Sequence, residues 1–322
     1  MRWLPPAARR WSCAALALAT VALVACSGVD EPGAVNSSVT EPSQPGRLAR
    51  IQVVLQPPGE TPGDEPALEV IARFVHYRGL DLAAVRARVD LPPLVIDRLR
   101  IGQCVASEQL WDPAEPVESA SSTSASRELV LLDAGNVAVQ IGDASIDLPL
   151  SLVPDLLPYM SGVAYDHVSE ALPARAWPQG EPSPSALTIT VEGAGDDELP
   201  GFSVRAPIPE AVALQATPST DRGSLLLEWR PDGRGLPVVV RLSSFIGSEP
   251  AGDEITCLFS DAGSHRIDLD DLRAAGLDTS GDTLRIGTSR LARRRFDAGE
   301  LFTREHAEAV VEVRSATFVT WP

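Results

Sequence analysis

Apolar and polar side chains alternate at every second position along much of this chain, and no other feature constrains its fold as strongly. The segments ALTITVEG (186–193) and NVAVQIG (136–142) both place aliphatic residues at alternate positions. Successive side chains of a β-strand point to opposite faces, so this period of two predicts strands with one buried face. Further strands are predicted at residues 51–55, 68–77, 99–105, 128–132, 202–206, 225–229, 238–242, 254–259, 283–288 and 310–319.

The connections between these strands predict the fold class. The chain contains 24 glycines and 28 prolines, and many of them fall between the predicted strands, where such residues favour turns. Closely spaced strands joined by turns are typical of antiparallel sandwiches. We therefore predict an all-β, mainly antiparallel fold with two β-sandwich-like domains. Short helices are expected at residues 81–89, 150–159 and 268–276.

The first 25 residues have the pattern of a secretory signal peptide. Arg2, Arg9 and Arg10 form a positive N-terminal region, and a run of small apolar residues follows from residue 13 to residue 25. This run is shorter than the roughly 20 residues that a membrane-spanning helix requires. We therefore predict that the segment is cleaved rather than kept as a permanent span.

The residues at the end of this segment resemble the lipobox of bacterial lipoproteins. The motif LVAC, residues 23–26, matches its pattern of leucine, an aliphatic or small residue, alanine or glycine, and cysteine. The resemblance implies that the thiol of Cys26 receives a diacylglycerol, that residues 1–25 are removed and that the new amino group is acylated. Ser27 stands where this family places aspartate in inner-membrane proteins, which implies an outer-membrane location. The alternative is an ordinary signal peptide with an unrelated cysteine.

Composition changes along the rest of the chain define the predicted domains. Residues 26–47 are rich in Gly, Ser, Pro and Glu and contain no aromatic residue, which is typical of a disordered tether. The residues that follow exceed the size of most single domains, and a polar segment at 217–223 offers a boundary. We therefore predict an N-terminal domain at 48–216 and a C-terminal domain at 217–322.

The C-terminal part resembles fibronectin type III and related immunoglobulin-like domains. Residues 206–245 contain a proline-rich first strand, a tryptophan late in the second strand and an aliphatic third strand, as those domains do. The resemblance implies a β-sandwich with Trp229 in its core. Because no tyrosine follows Tyr165, the tyrosine corner of many such sandwiches is missing. The resemblance therefore covers architecture alone and implies no particular function.

The charge of the chain excludes one class of partner. The formal net charge is −17, and removal of the three arginines of the signal peptide would take it to −20. Such a surface repels nucleic acid and anionic lipid. No nucleic-acid partner is expected, and membrane association is expected to come from the lipid on Cys26. The chain also contains no lysine, which excludes Schiff-base chemistry.

Two cysteines follow the predicted lipidation site. Cys104 and Cys257 allow one disulfide in an oxidising compartment such as the periplasm. This bond would close a loop of about 150 residues and join the two predicted domains. The alternative is two buried free thiols in separate cores. No histidine neighbours either cysteine, so a zinc site is not expected.

The segment CLFSDAGSHRIDLDD, residues 257–271, contains the candidates for a metal site. Asp261, His265 and Asp268 are close together in the sequence and are candidate ligands for a cation such as calcium. The alternative is a hairpin loop followed by an acidic helix start, which the absence of an EF-hand pattern favours. Ser264 and His265 are adjacent and would point to opposite faces of a strand, which disfavours a Ser-His-Asp arrangement. No cofactor is predicted.

The segment SRLARRRFD, residues 289–297, concentrates four arginines in an acidic chain. Arg293, Arg294 and Arg295 are candidates for binding an anionic glycan or a phosphate of the outer membrane. On a strand, Arg294 would point away from the other two, so the charges would not form one surface. The alternative is an edge strand whose charges prevent aggregation and pair with nearby acids.

These features predict a lipid-anchored cell-envelope protein that acts as a non-catalytic binding or structural module. Its expected partners are the membrane, through the lipid on Cys26, and another envelope protein or a glycan. The sequence contains no nucleophile elbow, zinc-binding helix motif or phosphate loop. The competing hypothesis is an exported hydrolase whose acids, such as Asp261 and Glu192, converge only in three dimensions.

Overall fold

A computed structural model describes most of the chain after residue 44. The described residues are 45–57, 67–111, 127–157, 160–169, 184–195, 199–219, 223–298, 302 and 305–320. The predicted signal peptide, Cys26 and nearly all of the predicted tether lie outside them. All of the described residues belong to one compact unit, Glu41–Pro322.

Strands predominate in the described residues, which confirms the predicted all-β class. The helices are α1 (Leu82–Arg88), α2 (Val95–Arg98), α3 (Ser107–Trp111) and α4 (Leu269–Ala274). The strands are β1 (Gly46–Gln56), β2 (Ala67–Arg78), β3 (Gln103–Ala106), β4 (Glu128–Leu131), β5 (Val137–Ile141), β6 (Ala144–Leu148), β7 (Leu150–Leu157), β8 (Met160–Ser169), β9 (Ala186–Val191), β10 (Phe202–Pro207), β11 (Leu214–Pro218), β12 (Ser224–Trp229), β13 (Val238–Ile246), β14 (Glu249–Phe259), β15 (Ser264–Asp268), β16 (Thr283–Arg295) and β17 (Ala307–Thr320).

Ten of these strands form one large sheet in the order β3-β14-β13-β16-β17-β1-β2-β4-β8-β7. Most neighbouring strands are antiparallel, but β1 runs parallel to β17, with Val53 opposite Val311. Strands β4 and β8 are also parallel. Two smaller sheets have the orders β10-β9-β5-β6 and β11-β12-β15. The antiparallel majority agrees with the predicted strand arrangement.

Two hydrophobic clusters lie between the large sheet and the smaller sheets. The first joins side chains of the large sheet, such as Ile51, to side chains of the four-stranded sheet, such as Ile189. The second joins Val240 of the large sheet to Leu227 of the three-stranded sheet, and Trp229 is buried in it, as the resemblance implies. The large sheet is therefore the shared layer of two sandwich-like halves.

The large sheet runs through both predicted domains. Strand β3 pairs with β14, and β11 and β12 pair with each other across the predicted boundary at residue 217. The two predicted domains therefore share hydrogen-bonded sheets across this boundary. The second cluster nevertheless consists almost entirely of residues between Val212 and Ile286. Independent folding of the two parts stays a prediction.

Two of the predicted helices are confirmed and one is wrong. Helix α1 begins after Asp81 and α4 after Asp268, and each of these carboxylates accepts a backbone N–H bond of the first turn. The predicted helix at 150–159 is strand β7 instead. Because β7 is an edge strand with one hydrogen-bonded neighbour, it tolerates Pro154. None of the helices in the described residues is long and apolar enough to cross a membrane.

The face of the large sheet that points away from the two clusters carries several buried polar side chains among apolar ones, and we call it the polar face. Arg50 and Gln52 of β1, Arg73 of β2, and Glu308 and Glu312 of β17 are all buried there. Buried charges and amides require partners, because an unpaired buried polar group is costly. The part of the chain that crosses this face supplies some of those partners.

Residues 79–111, which we call the covering segment, run from the end of β2 through the edge strand β3 to the end of α3, and they contain three of the helices. Val85 and Leu91 pack with Val75 and Leu131 of the sheet. Leu94 packs with residues of β16 and β17. The covering segment therefore buries part of the polar face and leaves the rest open beside it.

Candidate functional site

A cleft of about 310 Å³ lies between the polar face of the large sheet and the covering segment. Small-molecule sites in proteins typically have volumes of roughly 300–1,000 Å³, so the cleft has room for one small ligand. Side chains from five strands form its floor, and the covering segment forms one wall. The floor includes Gln52, Arg241, Ser243, Glu254, Thr256, Arg285, Gly287, Glu312 and Arg314, and the wall includes Pro92, Pro93, Leu94, Val95, Ser107 and Leu110.

Strand register brings the floor residues together. Arg241 of β13 lies opposite Thr256 of β14 and Gly287 of β16, and Ser243 lies opposite Arg285. Gly287 has no side chain to fill the space beside Arg241. A Cβ atom built on this glycine would lie 3.7 Å from the Cβ atom of Arg241, which is ordinary contact. The glycine therefore forms a depression in the floor of the cleft.

Glu312 is the central carboxylate of the floor, and two arginines hold it. Its Oε1 atom lies 3.3 Å from Nη2 of Arg241, and its Oε2 atom lies 3.0 Å from Nη2 of Arg314. Burial acts to raise the pKa of Glu312, but the charges of Arg314 and Arg241 outweigh it and hold the pKa below its usual value. Glu312 is therefore ionised at neutral pH and is a poor proton donor.

Hydroxyl groups hold the second carboxylate of the floor, Glu254. Its Oε1 atom accepts a hydrogen bond of 3.0 Å from Ser107 in the covering segment, and its Oε2 atom accepts one of 3.1 Å from Ser243. The Ser107 hydroxyl also lies 2.7 Å from the hydroxyl of Thr256. This network links the wall to the floor at the β14 end of the cleft.

Other polar groups of the cleft retain hydrogen-bonding capacity. Gln52 is 6% exposed, and its Oε1 atom has no hydrogen-bond partner among the described residues. The Nε atom of Arg314 is likewise without a hydrogen-bond partner there. Arg285 is exposed at the floor. Because buried polar groups in proteins are nearly always hydrogen-bonded, these groups indicate a place for a polar ligand or for water.

A scan against protein-family models finds no match for this chain, and a search of curated proteins finds no significant match. The residues of the cleft themselves indicate its chemistry. Its floor offers guanidinium, amide and hydroxyl groups, and its wall offers proline rings and aliphatic side chains. This combination of an apolar wall with a few convergent polar groups is typical of small-ligand sites.

Hydrogen bonds from the sheet hold the covering segment in place. Nη1 of Arg50 donates to the carbonyl of Pro92 at 2.8 Å, and Nε of Arg73 donates to the carbonyl of Val89 at 3.0 Å. Arg50 is fully buried and also pairs with Glu308 at 2.5 Å. The buried arginines of β1 and β2 thus position the wall of the cleft.

A disulfide fixes the other end of the covering segment. Cys104 of β3 and Cys257 of β14 are bonded to each other and are direct partners in the antiparallel pair. The bond joins strands from the two predicted domains. Of the two alternatives that the sequence left open, the structure therefore shows the disulfide and not two free thiols. It holds β3, and the residues of α3 that follow it, at the edge of the large sheet.

The structure does not bring the three candidate metal ligands together. Asp261 accepts hydrogen bonds from Nε1 of Trp229 at 2.9 Å, from the backbone of Asp232 at 2.7 Å and from Nη2 of Arg290 at 2.8 Å. Its oxygens are therefore occupied by N–H donors. In the part of the chain that the structure describes, no group of three or more His, Cys, Asp or Glu side chains is placed to hold a metal ion.

His265 and Asp268 have structural surroundings of their own. The ring of His265 stacks on Phe259 with the ring centres 4.0 Å apart, and burial lowers the pKa of this histidine. The carboxylate of Asp268 caps α4 by accepting from the backbone of Asp270 at 2.8 Å. Glu192, named with Asp261 in the hydrolase hypothesis, accepts from Asn136 at 2.7 Å. None of the four sequence-predicted candidates lines the cleft. These are Asp261, His265, Asp268 and Glu192.

The three candidate arginines of β16 do not form one binding surface. Arg293 pairs with Asp97 of the covering segment at 2.5 Å and with Glu308 at 3.3 Å. Arg294 and Arg295 are exposed. The alternative for this segment was an edge strand whose arginines pair with nearby acids. The pairing of Arg293 agrees with it, but β16 is an interior strand of the large sheet.

Sequence reasoning missed the cleft because its residues come from strands far apart in the chain. One local signal was present in the segment AEAVVEVRS, residues 307–315. There Glu308, Glu312 and Arg314 are four and two residues apart, so they share one face of a strand that is apolar at most other positions. Charges at regular positions of a strand in the middle of a sheet indicate a polar face that another part of the chain covers.

Proposed function

We propose that this chain is a lipid-anchored protein of the bacterial cell envelope, located at the outer membrane, that binds a small polar ligand without catalysing a reaction. The lipobox-like motif at residues 23–26 supports the anchor. The tether at residues 26–47 supports a folded body held away from the membrane surface. The cleft on the large sheet supports the binding role.

The contacts of the two carboxylates in the cleft are the main support for a binding role. Glu312 is held between two guanidinium groups, and Glu254 accepts from two serine hydroxyls. A general acid or base needs a pKa near the working pH and a proton that it can exchange with the substrate. Glu312 has its pKa moved away from that range. The floor is therefore suited to recognition rather than to proton transfer.

The anchor follows from the free energy of acyl-chain burial. Each buried methylene contributes about 0.8 kcal/mol, so one acyl chain gives reversible binding and several chains on one residue give stable attachment. The acidic charge of the chain disfavours attachment through a basic surface. The lipid on Cys26 is therefore the expected source of membrane association.

Replacement of Cys26 by serine is expected to abolish lipid attachment. In the native bacterium grown with an alkyne-bearing fatty acid, the wild-type protein is expected to carry the label and to sediment with outer membranes. The Cys26→Ser variant is expected to carry no label, because serine has no thiol for the diacylglycerol. Labelling and membrane fractionation measure both properties.

Cys13→Ser is the matched control, because Cys13 lies inside the segment that would be removed. This variant is expected to behave as the wild type does. Label that persists in Cys26→Ser, or a mature amino terminus at a residue other than Cys26, would show that the anchoring proposal is wrong.

A further inference from the structure

We propose that the cleft binds a hydroxylated organic anion of about the size of one acidic sugar, held through its carboxylate or phosphate group by Arg241 and Arg285. This inference rests on the proposed binding function and specifies the class of ligand. Three features support it: the charge of the floor, the placement of the two arginines, and the hydrogen-bond acceptors beside them.

The floor of the cleft carries more positive than negative charge. Three arginines, Arg241, Arg285 and Arg314, line it together with two carboxylates, Glu254 and Glu312. The whole chain has a formal net charge of −17. An anion is therefore attracted to the floor of the cleft, whereas the acidic surface elsewhere repels it.

Arg241 and Arg285 are placed to hold one anionic group between them. Arg241 lies opposite Gly287, two residues along β16 from Arg285, so the two arginines are diagonal neighbours on one face. Diagonal positions on adjacent strands are about 7–8 Å apart, within reach of long side chains. Gly287 lies opposite Arg241 and adds no side chain beside it. A carboxylate or phosphate fits such a pair because guanidinium groups bind these groups through two parallel hydrogen bonds.

Both arginines have donors to spare. The two terminal nitrogens of Arg241 reach the same oxygen of Glu312, at 3.3 and 3.4 Å, and its side chain is 27% exposed. A guanidinium has five N–H donors, so donors remain for a ligand. Arg285 is exposed. Arg314 donates to Glu312 at 3.0 Å, and the nearby carboxylates of Glu69 and Glu254 also offset its positive charge.

Acceptor groups beside the two arginines call for a hydrogen-bond donor on the ligand. Thr256 of β14 lies opposite Arg241, and Glu254 lies two residues along β14 on the same face. The carboxylate of Glu254 accepts hydrogen bonds from two serine hydroxyls. Because a carboxylate has about four lone-pair sites, it can also accept from a ligand hydroxyl. Leu110 of the covering segment forms an apolar wall for the C–H groups of the ligand.

A series of four matched sugars tests this inference on the full-length protein in detergent micelles. The probes are glucuronate, glucose 6-phosphate, neutral glucose and protonated glucosamine, with binding measured by ligand-observed NMR. Glucuronate or glucose 6-phosphate is expected to bind at least about tenfold more tightly than glucose and glucosamine, the size of one charge-assisted contact. The two anionic probes distinguish a carboxylate ligand from a phosphate ligand.

Two variants locate the binding. Arg285→Ala is expected to weaken anion binding about tenfold, whereas Arg205→Ala, which removes an exposed arginine of β10 outside the cleft, is expected to leave it unchanged. Gly287→Val is expected to abolish binding of every probe, because its side chain fills the depression while all arginines remain. Ala138→Val on β5 adds similar bulk outside the cleft and serves as its control.

The outcomes separate the ligand class from the proposed function. Glucose or glucosamine binding as tightly as the anions, with loss in Gly287→Val, would overturn the anion class and keep the binding role. Equal weakening by Arg285→Ala and Arg205→Ala would overturn the arginine site. Absence of binding by all four probes would overturn this inference, while the lipid anchor is tested separately through Cys26.

Discussion

Replacement of Asp261 by asparagine is expected to lower the free energy of unfolding by about 3–5 kcal/mol, the usual effect of breaking a buried ion pair. The side chains of Asp261 and Arg290 are 2% and 1% exposed, and Nη2 of Arg290 lies 2.8 Å from Oδ1 of Asp261. Asparagine would leave Arg290 buried without a counter-charge. Its amide nitrogen would also face the backbone N–H of Asp232, which now donates to Oδ2. Urea denaturation of the wild type and of the variant measures the difference.

The loss is expected to depend on pH in a defined direction. Burial acts to raise the pKa of Asp261, but hydrogen bonds from Arg290, Asp232 and Trp229 outweigh it and lower the pKa from the ordinary value of 3.8. A lowered pKa in the folded state adds stability above the unfolded-state value and loses it as the pH falls through the folded-state value. The difference in the free energy of unfolding between the wild type and Asp261→Asn is therefore expected to be largest above pH 3.8 and to decrease as the pH falls below that value.

Asp270→Asn is the control for this experiment. Asp270 is 85% exposed and pairs with Arg273 within α4, and exposed pairs of this kind contribute about 0–1 kcal/mol. The control is expected to stay close to the wild type. An equal loss in both variants, or no loss in Asp261→Asn, would contradict the assigned role of the buried pair.

Reduction of the disulfide is expected to lower the free energy of unfolding by up to about 5 kcal/mol. Cys104 and Cys257 are 153 residues apart in the sequence, and the chain-entropy model assigns a stabilisation of about 5 kcal/mol to a loop of this length. The effect arises mainly because the bond restricts the unfolded chain. Denaturation with and without reductant measures it.

The double variant Cys104→Ala/Cys257→Ala provides the control, because it has no bond to reduce. Its stability is expected to equal that of the reduced wild type and to be insensitive to reductant. Amide hydrogen exchange is expected to increase at residues 103–111, which the bond holds against β14. A change below about 1 kcal/mol on reduction would show that pairing with β14 alone holds this edge.

The sequence predicted strands well because a strand's side-chain period is local. The segments at 136–142 and 186–193 alternate as predicted and form β5 and β9. The wrong helix at 150–159 shows the limit of local patterns, since β7 owes its conformation to pairing with β8 and to its place at the sheet edge. Partner choice between distant strands, such as β1 and β17, leaves no periodic signal.

Two segments that the sequence singled out for separate reasons turn out to be partners. Asp261 was a candidate metal ligand, and Arg290 belongs to the arginine-rich segment at 289–297. The structure pairs them in the interior. Considered alone, Asp261 suggested a metal ligand. In the fold its partner is instead Arg290, which lies 29 positions away in the sequence. The cleft escaped prediction for a related reason, because its arginines come together only through the pairing of strands that are distant in the sequence.

The position of β17 has a consequence for how the protein is made. This last described strand lies between β16 and β1 at the middle of the large sheet, and β1 is the first described strand. A growing chain cannot complete the sheet until residues 307–320 have left the ribosome. Sheets that depend on such distant pairings fold slowly, and until β17 arrives, β16 and β1 each present an open edge that invites aggregation. Late closure of the sheet would keep the chain incompletely folded throughout its synthesis, so its aggregation is expected to be most frequent before residues 307–320 are made.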